Sequence, residues 1–301
     1  LHKEYRRQRQ MCIRDSSFPQ YRKKGDMVRS SYALSPIYEN ERNDREDVFT
    51  MKMRRKTMLV VMTLLLAYGL QVVYVKSLPS EQITILGYHH IVEDKDKEAY
   101  FKGNMWVNSL SSFEAQMKLL KEKGYHSVSL QDVYEWRMGR KELDEKSVVI
   151  TFDDGLYSSI KYAQPILEKY GFQGSVFVIG SQIEANRSEY KPNKRQHATL
   201  ADMQHAKKLS FYAHSFDLHH KDGGFRVHQL TKEALQIDTQ KEASLVSTEF
   251  YAYPYGKYNP LIQEVLKQHG TKLAFGFNEN RKASRQDDPC LLYTSPSPRD
   301  M

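Results

Sequence analysis

Covalent cross-links have almost no material to work with in this chain: cysteine occurs twice in 301 residues, as Cys12 and Cys290, both in terminal stretches. A disulfide framework or a cysteine-ligated zinc site is excluded as the organising device. Charge of one sign is also scarce where it would matter. Residues 1–75 carry 15 Lys/Arg against 8 Asp/Glu, a balance of +7, while residues 76–289 carry 29 against 28, a balance of +1. A nucleic-acid binder needs its cations on the folded surface that meets the phosphates, so this nearly neutral body predicts no nucleic-acid partner. Internal repeats and low-complexity tracts are missing from the body, and long apolar runs reduce to one. What is present is ordinary: 40% hydrophobic and 27% charged residues suit a folded domain and exclude disorder throughout.

The apolar run, Met58 to Val75, holds 18 residues without formal charge behind the basic flank MKMRRK. At ~1.5 Å rise per residue that is just long enough to cross a bilayer core. The basic flank predicts a cytoplasmic N-terminal side and places everything after Lys76 outside the cell. The expectation is a single-pass signal-anchor in a bacterial cell membrane, with the lipid bilayer as partner of Met58 to Val75. A cleaved signal, with Val75-Lys76-Ser77 as junction, is the alternative and would leave the body secreted. Met51 or Met53 is the preferred start, so residues 51–76 form the flank and anchor. Residues 17–50 are polar and aperiodic, and read as a disordered or untranslated leader. MCIRDS within residues 1–16 and CLLYTSPSPRDM at 290–301 resemble translated sequencing-adapter read-through. Neither shows apolar periodicity that would dock on a core, so both are set aside, leaving a body over 77–289 that is cut short at its C-terminus.

Within the body short apolar runs alternate with helical patterns. ITILGYH precedes the helix SSFEAQMKLLKEKG, in which Phe113, Met117 and Leu120 recur at spacings of four and three and Gly124 fits a helix C-cap. YHSVSL, a helix from Gln131, the buried strand SVVITF, the helix SSIKYAQPILEKYG and the strand SVFVIG follow. Repeated strand and helix units call for a parallel sheet, either a barrel or a doubly wound one.

Three segments carry chemistry. Thr151-Phe152-Asp153-Asp154-Gly155 puts two carboxylates at the end of an apolar strand. Inside a regular strand they would face opposite ways, but at its C-terminal end, with Gly155 permitting a sharp turn, both reach the rim where barrel enzymes work. Alone, the segment reads equally as an Asp-Gly turn. His214-Ser215-Phe216-Asp217-Leu218-His219-His220 puts histidines five apart after an apolar strand. That spacing misses helical i, i+4 and suits a strand-exit loop folding back so that two imidazoles converge on an ion, with a carboxylate from another strand as third ligand. Tyr253-Pro254-Tyr255-Gly256 alone reads as a Pro-Gly turn.

Taken together and in this order, the three segments resemble the NodB-homology polysaccharide deacetylases of carbohydrate esterase family 4. The opening Leu86-Gly87-Tyr88-His89-His90-Ile91 and the form HSFDLH resemble the branch of poly-beta-1,6-N-acetylglucosamine deacetylases. The resemblance covers about 200 residues and implies an α/β fold, a deformed (β/α) barrel that is incomplete at its C-terminus. It implies Asp153 as general base, and Asp154, His214 and His219 as ligands of a divalent metal, with His220 a bystander. It further implies His89 as general acid, the backbone NH of Tyr255 as an oxyanion donor, and Ser215 as a brace of the metal loop. The family's usual arginine two positions before the Pro-Tyr pair is Ala252 here, which implies a base tuned by other means.

The chemistry fits these residues. Amide hydrolysis at neutral pH needs an activated water, which a divalent ion supplies by lowering its pKa to about 7. One carboxylate binds the ion and the other takes the water's proton. The oxyanion is held by the metal and a backbone NH, and because an amine leaves poorly, a protonated histidine opposite the base must deliver a proton to it. Two imidazoles with one carboxylate suit Zn2+, with Co2+, Ni2+ or Mn2+ as alternatives. The expected function is deacetylation of a cell-surface N-acetylglucosamine polysaccharide, the acetylated glycan being the partner. Peptidoglycan or chitin-like oligomers are alternative substrates, and a non-hydrolytic glycan-binding module is the alternative from another class. Trp106 or Tyr258 could stack on sugar rings, although core packing is the commoner use of such side chains.

Overall fold

A computed structural model describes residues 36–76, 79–221, 223–277, 281–290 and 292–294. Contacts divide the chain into two units, Leu1–Tyr68 and Gly69–Met301. The first contains most of helix α1 (Pro36–Lys76). The helix begins inside the stretch read as an aperiodic leader, so residues 36–50 are helical. Pro36 suits the first helical position and the Glu/Arg-rich run that follows has good helix propensity, so no apolar stripe is needed to form it. Met58 to Leu70 stand exposed on this helix. The last residues of the expected span Met58 to Val75 lie outside those whose side chains are described. Among the described residues no helix is long and apolar enough to cross a membrane, so the bilayer partner expected from the sequence is not supported by them. The readings of residues 1–16 and of 17–35 also lie outside the described residues.

In the second unit β1 (Gln82–Tyr88) and β2 (His90–Val92) lead to α2 (Asp94–Tyr100), β3 (Val107–Ser109) and α3 (Leu110–Glu122). Next come β4 (His126–Ser127), α4 (Leu130–Arg137), β5 (Ser147–Phe152), α5 (Gln164–Tyr170) and β6 (Gly174–Val178). The chain continues through α6 (Leu200–His205), β7 (Leu209–Ala213), α7 (Lys232–Ala243), β8 (Ser247–Ala252), α8 (Pro260–Gln268) and β9 (Leu273–Phe277). Two short strands, β10 (Ala283–Ser284) and β11 (Leu292–Thr294), close the described chain.

Local signals account for the element ends. Ser129 and Asp132 form a capping box at the start of α4, and Thr199 and Asp202 do the same for α6. Helix α3 stops as the sequence predicts, just before Gly124 with φ 77°. The expected helix over SSIKYAQPILEKYG is split: a π-helical turn over Ser159–Ala163 precedes α5. Pro165 has no NH for the ordinary i→i−4 bond, and Gln164 N reaches back to Ser159 O instead.

Nine strands share one sheet in the order β10-β1-β5-β6-β7-β8-β9-β11, with β4 also paired to β5. Neighbours from β1 through β11 run parallel, and β10 is antiparallel to β1. The sheet curls so that β11 also packs near β1 and β10, giving the deformed α/β barrel expected from the sequence. Of residues 290–301, Cys290 and Leu292–Thr294 are described, and these dock on the sheet although they lack apolar periodicity. Cys290 and Leu292 are buried, Tyr253 Oη donates to Cys290 O at 2.8 Å, and β11 pairs with β9. The exposed ladder edge of β9 is satisfied by any short extended segment, so a three-residue strand needs no periodicity of its own to dock there.

Strand alternation sorts the core. Val148, Ile150 and Phe152 of β5 join Phe113, Met117 and Leu120 of α3 and Leu167 of α5 outside the sheet. Val149 faces the other way and joins Ile83, Ile85, Phe177, Phe275 and the α4 residues Leu130, Val133 and Trp136. A third cluster packs Leu235 of α7 and Ile262, Val265 and Leu266 of α8 against Tyr251 and Ala274. Burial of each large side chain contributes roughly 1.5–3 kcal/mol, which fixes the strands whose C-terminal ends carry the motifs.

Candidate active site

Every motif read from the sequence follows a parallel strand: His89 follows β1, Asp153 and Asp154 follow β5, His214 follows β7, and Tyr255 lies just beyond β8. Parallel strands point the same way, so these residues gather on the C-terminal edge of the sheet. The backbone is bent sharply in each of the three segments. Asp154 (φ 72°), Ser215 (φ 74°) and Tyr255 (φ 56°) are the non-glycine residues with positive φ among the described residues. Left-handed backbone costs a residue with a Cβ about 1–2 kcal/mol, so neighbouring bonds must hold it. At the first bend Asp153 N donates to Tyr88 O at 2.8 Å and Ala198 N donates to Gly155 O at 2.9 Å. At the second, Ser215 Oγ accepts from Leu218 N at 3.1 Å, the brace the resemblance implies. At the third, Gly256 N donates to Tyr253 O at 2.8 Å, and a Cβ on Gly256 would stand 2.6 Å from Phe277 Cβ. A register shift between Tyr212 and Ala213 in the β7–β8 pairing further re-aims the chain at His214.

Asp154, His214 and His219 offer ligand atoms that all lie within 4.8 Å of one another. Asp154 Oδ1 is 3.5 Å from His219 Nε2 and 3.8 Å from His214 Nε2. Donors bound at about 2.1 Å to one tetrahedral ion stand about 3.4 Å apart, so the set fits a divalent metal with little movement. Asp154 Oδ1 is buried without a hydrogen-bond partner, a costly state that a cation relieves. His214 Nδ1 donates to Ala252 O at 2.8 Å, which fixes the tautomer and leaves Nε2 as the lone-pair donor. Burial, reinforced by His219, pushes His214 down to about 3, so the ring is neutral as a ligand must be. Burial likewise lowers His219. At Asp154 burial opposes the charge, but His89, His214, His219 and Arg195 outweigh it and hold the carboxyl below the usual range. His220 Nε2 pairs with Asp217 Oδ1 at 2.7 Å and is not part of the Asp154, His214 and His219 cluster.

Asp153 behaves differently from its neighbour. Burial, and then the charge of Asp154, push it up to about 8. His89 Nε2 stands 3.8 Å from Asp153 Oδ2, and burial lowers that imidazole against the pull of Asp154. The sequence reading placed the proton-donating histidine opposite the base. The structure sets the two side by side, because β1 and β5 are adjacent and Tyr88 pairs in register with Phe152.

These groups line a cavity of about 380 Å³. Trp106, 4.9 Å from His89 and 5.5 Å from Phe277 between ring centres, forms one wall and is 38% exposed. Tyr258 instead packs on Tyr253. Tyr255 does more than the sequence suggested: its ring lies 4.1 Å from that of His219, and its hydroxyl donates to His219 O at 3.2 Å. Arg195 was missed. Its Nη1 is 3.9 Å from Asp154 Oδ2, and it reaches the cavity because residues 196–198 are stapled to residues 155–157, Tyr157 N donating to Gln196 O at 2.9 Å. A lone arginine in a polar loop carries no pattern that would have marked it.

With this geometry in view, residues 140–274 match the polysaccharide deacetylase family model. The chain carries a polysaccharide deacetylase domain. Five of the six site residues fall inside the matched stretch and His89 lies upstream of it. YxkH of Bacillus subtilis is 28% identical over 200 residues, covering 64% of this chain and 63% of that protein. A poly-beta-1,6-N-acetyl-D-glucosamine N-deacetylase of Escherichia coli is 23% identical over 247 residues, covering 69% of this chain and 36% of that protein. The chain therefore spans less than two thirds of the length of these relatives. Among solved structures, the deacetylase PplD of Streptococcus pyogenes in complex with acetate superposes with a TM-score of 0.60 at 24% identity, covering 73% of this chain and 93% of that one. IcaB from Ammonifex degensii gives 0.60 at 23% identity, covering 73% and 94%. Both likenesses concern the fold of the deacetylase domain.

Proposed function

We propose that the protein hydrolyses N-acetyl groups of a cell-surface N-acetylglucosamine polysaccharide, releasing acetate and leaving free amines. The observation that carries the reading is the convergence of Asp154, His214 and His219 beside a second carboxylate, Asp153, that is paired with His89. Two imidazoles and one carboxylate suit zinc best among divalent ions. When bound there, such an ion polarises the amide carbonyl and lowers the pKa of a water to about 7. Asp153 takes a proton from the attacking water, and its Oδ2 faces the group that can relay it. His89 Nε2 receives that proton and delivers it to the amide nitrogen as the C–N bond breaks, so acetate and amine leave and both side chains return to their starting state. The backbone NH of Tyr255 supports the oxyanion, a type of donor worth about 3 kcal/mol. Trp106 offers the sugar a flat apolar wall. The basic flank before the apolar run supports an extracellular location.

Similarity to a poly-beta-1,6-N-acetyl-D-glucosamine N-deacetylase makes the beta-1,6 polymer the first substrate to test. Acetate release from beta-1,6 and beta-1,4 N-acetylglucosamine oligomers by the zinc-loaded full chain is measured beside Asp153→Asn. Release that disappears in the variant is expected. A folded, zinc-bound chain that frees no acetate from either oligomer would overturn the reading.

A further inference from the structure

The candidate metal ligands His214 and His219 are joined by residues 215–218, a loop anchored through several of its backbone polar groups. Ser215 O accepts from Gly180 N at 3.1 Å, Phe216 O accepts from Ser181 N at 2.9 Å, and Leu218 N donates to Ser215 Oγ at 3.1 Å. The NH groups of Phe216 and Asp217 both donate to one side chain. Asp238 Oδ2 accepts from Phe216 N at 3.0 Å and Asp238 Oδ1 accepts from Asp217 N at 2.8 Å. Asp238 sits on α7, one turn past Leu235 and beside Thr239, both buried, so the helix delivers its carboxylate to the loop from behind, 8% exposed. A carboxylate taking two consecutive backbone NH groups fixes both the position and the turn of the segment, and such charge-assisted bonds are about twice as strong as neutral ones. The turn needs that support, since Ser215 is held at φ 74°.

We propose that Asp238 is a positioning residue for the metal site: it holds the His214–His219 loop in its ligating shape before any ion arrives. The inference rests on the metal-dependent reading above. Without the carboxylate, the loop's NH groups lose their shared acceptor and His219 loses its fixed distance from Asp154 Oδ1, so binding must first reorder the loop. Partners that orient metal ligands from outside typically change affinity by about 10–100-fold when removed. Nothing about Asp238 in the sequence marks this role, since the buried face of its helix is itself mostly polar, with Thr239 and Glu242 beside it.

Zinc affinity is measured on the full chain by competition with a chromophoric chelator, for the unsubstituted protein and Asp238→Asn. The asparagine keeps one acceptor oxygen but sets an NH2 against the second backbone NH. A loss of about tenfold or more is expected, with kcat recovered at saturating zinc, since the ligands themselves are intact. Equal affinity in D238N overturns the inference. Absence of zinc binding by the unsubstituted chain overturns the metal reading instead, so the two failures are distinct. A second readout needs no variant: amide exchange at Phe216 and Asp217 in the chelator-treated protein. Protection comparable to the strand amides of β7 supports a preformed loop, and exchange at the rate of an open chain overturns it.

Discussion

His89 and Asp153 meet because their strands do: Tyr88 pairs in register with Phe152, Asp153 N donates to Tyr88 O at 2.8 Å, and the side chains that follow bring His89 Nε2 to 3.8 Å from Asp153 Oδ2. Burial makes the carboxyl reluctant to ionise and the imidazole reluctant to protonate, so the pair handles one proton between them.

The first prediction is a pH profile. Without an ion Asp153 is pushed up to about 8. A nearby divalent cation favours the carboxylate, so the acidic limb of kcat/KM in the zinc enzyme should fall below that value and above the ordinary aspartate value of about 4. Asp153→Asn should lower kcat/KM by about 10²–10⁴ and abolish the limb. Zinc affinity should change only a few-fold. An unaltered limb in the variant would assign the titration to another group.

Tyr255 offers a second test, because its ring and hydroxyl both touch His219. Tyr255→Phe keeps the ring and loses one partly exposed hydrogen bond, so zinc affinity should stay within about threefold. Tyr255→Ala removes the wall against the imidazole and should weaken zinc binding about tenfold. If both variants bind zinc like the parent, the ring does not orient the ligand.

Much of this was legible beforehand, for physical reasons that also explain the rest. Strand β5 shows as an apolar run because all six of its residues are buried, and α3 shows because Phe113, Met117 and Leu120 recur at helical spacing and Gly124 ends it. The convergence of Asp154, His214 and His219 was legible because strand-exit carboxylates and histidines are chemically conspicuous. Strands β10 and β11 were not, being two and three residues long, too short for alternation to register. Arg195 and Asp238 were not either. Each acts through a fold-dependent approach to a distant loop, and locally each is one more polar residue in a polar segment.

Gly256 yields a third prediction. Its φ is 65°, and an added Cβ would stand 2.6 Å from Phe277 Cβ and 2.7 Å from Phe277 N. Neither neighbour is the free end of a flexible chain, so Gly256→Ala should cost about 1–3 kcal/mol in urea unfolding. Activity should fall with it, because the turn carries Tyr255. A variant with unchanged midpoint and unchanged kcat/KM would mean the turn yields without strain.

Glu242 supports the last prediction, on stability in the metal-free protein. It is fully buried on α7, and neither oxygen has a hydrogen-bond partner. The nearby NH groups of His214 and Gly180 already donate to Val178 O and Ser215 O. Burial, with Asp238 adding to it, pushes Glu242 up to about 9. A folded value above the unfolded one means the folded state keeps a proton that the unfolded state releases. The stabilisation is therefore complete below the ordinary glutamate value of about 4.5 and is lost as pH rises towards 9. Asp153, pushed up to about 8, acts with the same sign. Each group contributes a downward slope of up to about 1.4 kcal/mol per pH unit between those limits. Glu242→Gln has nearly the same shape and nothing to titrate. In the presence of chelator it should reduce the fall in urea midpoint between pH 7 and 8, above the range where the buried histidines, all lowered by burial, contribute a slope of opposite sign, and combination with Asp153→Asn should reduce it further. A parent-like slope in E242Q would mean that Glu242 is already ionised in the folded state, with water or a cation reaching its two unpartnered oxygens.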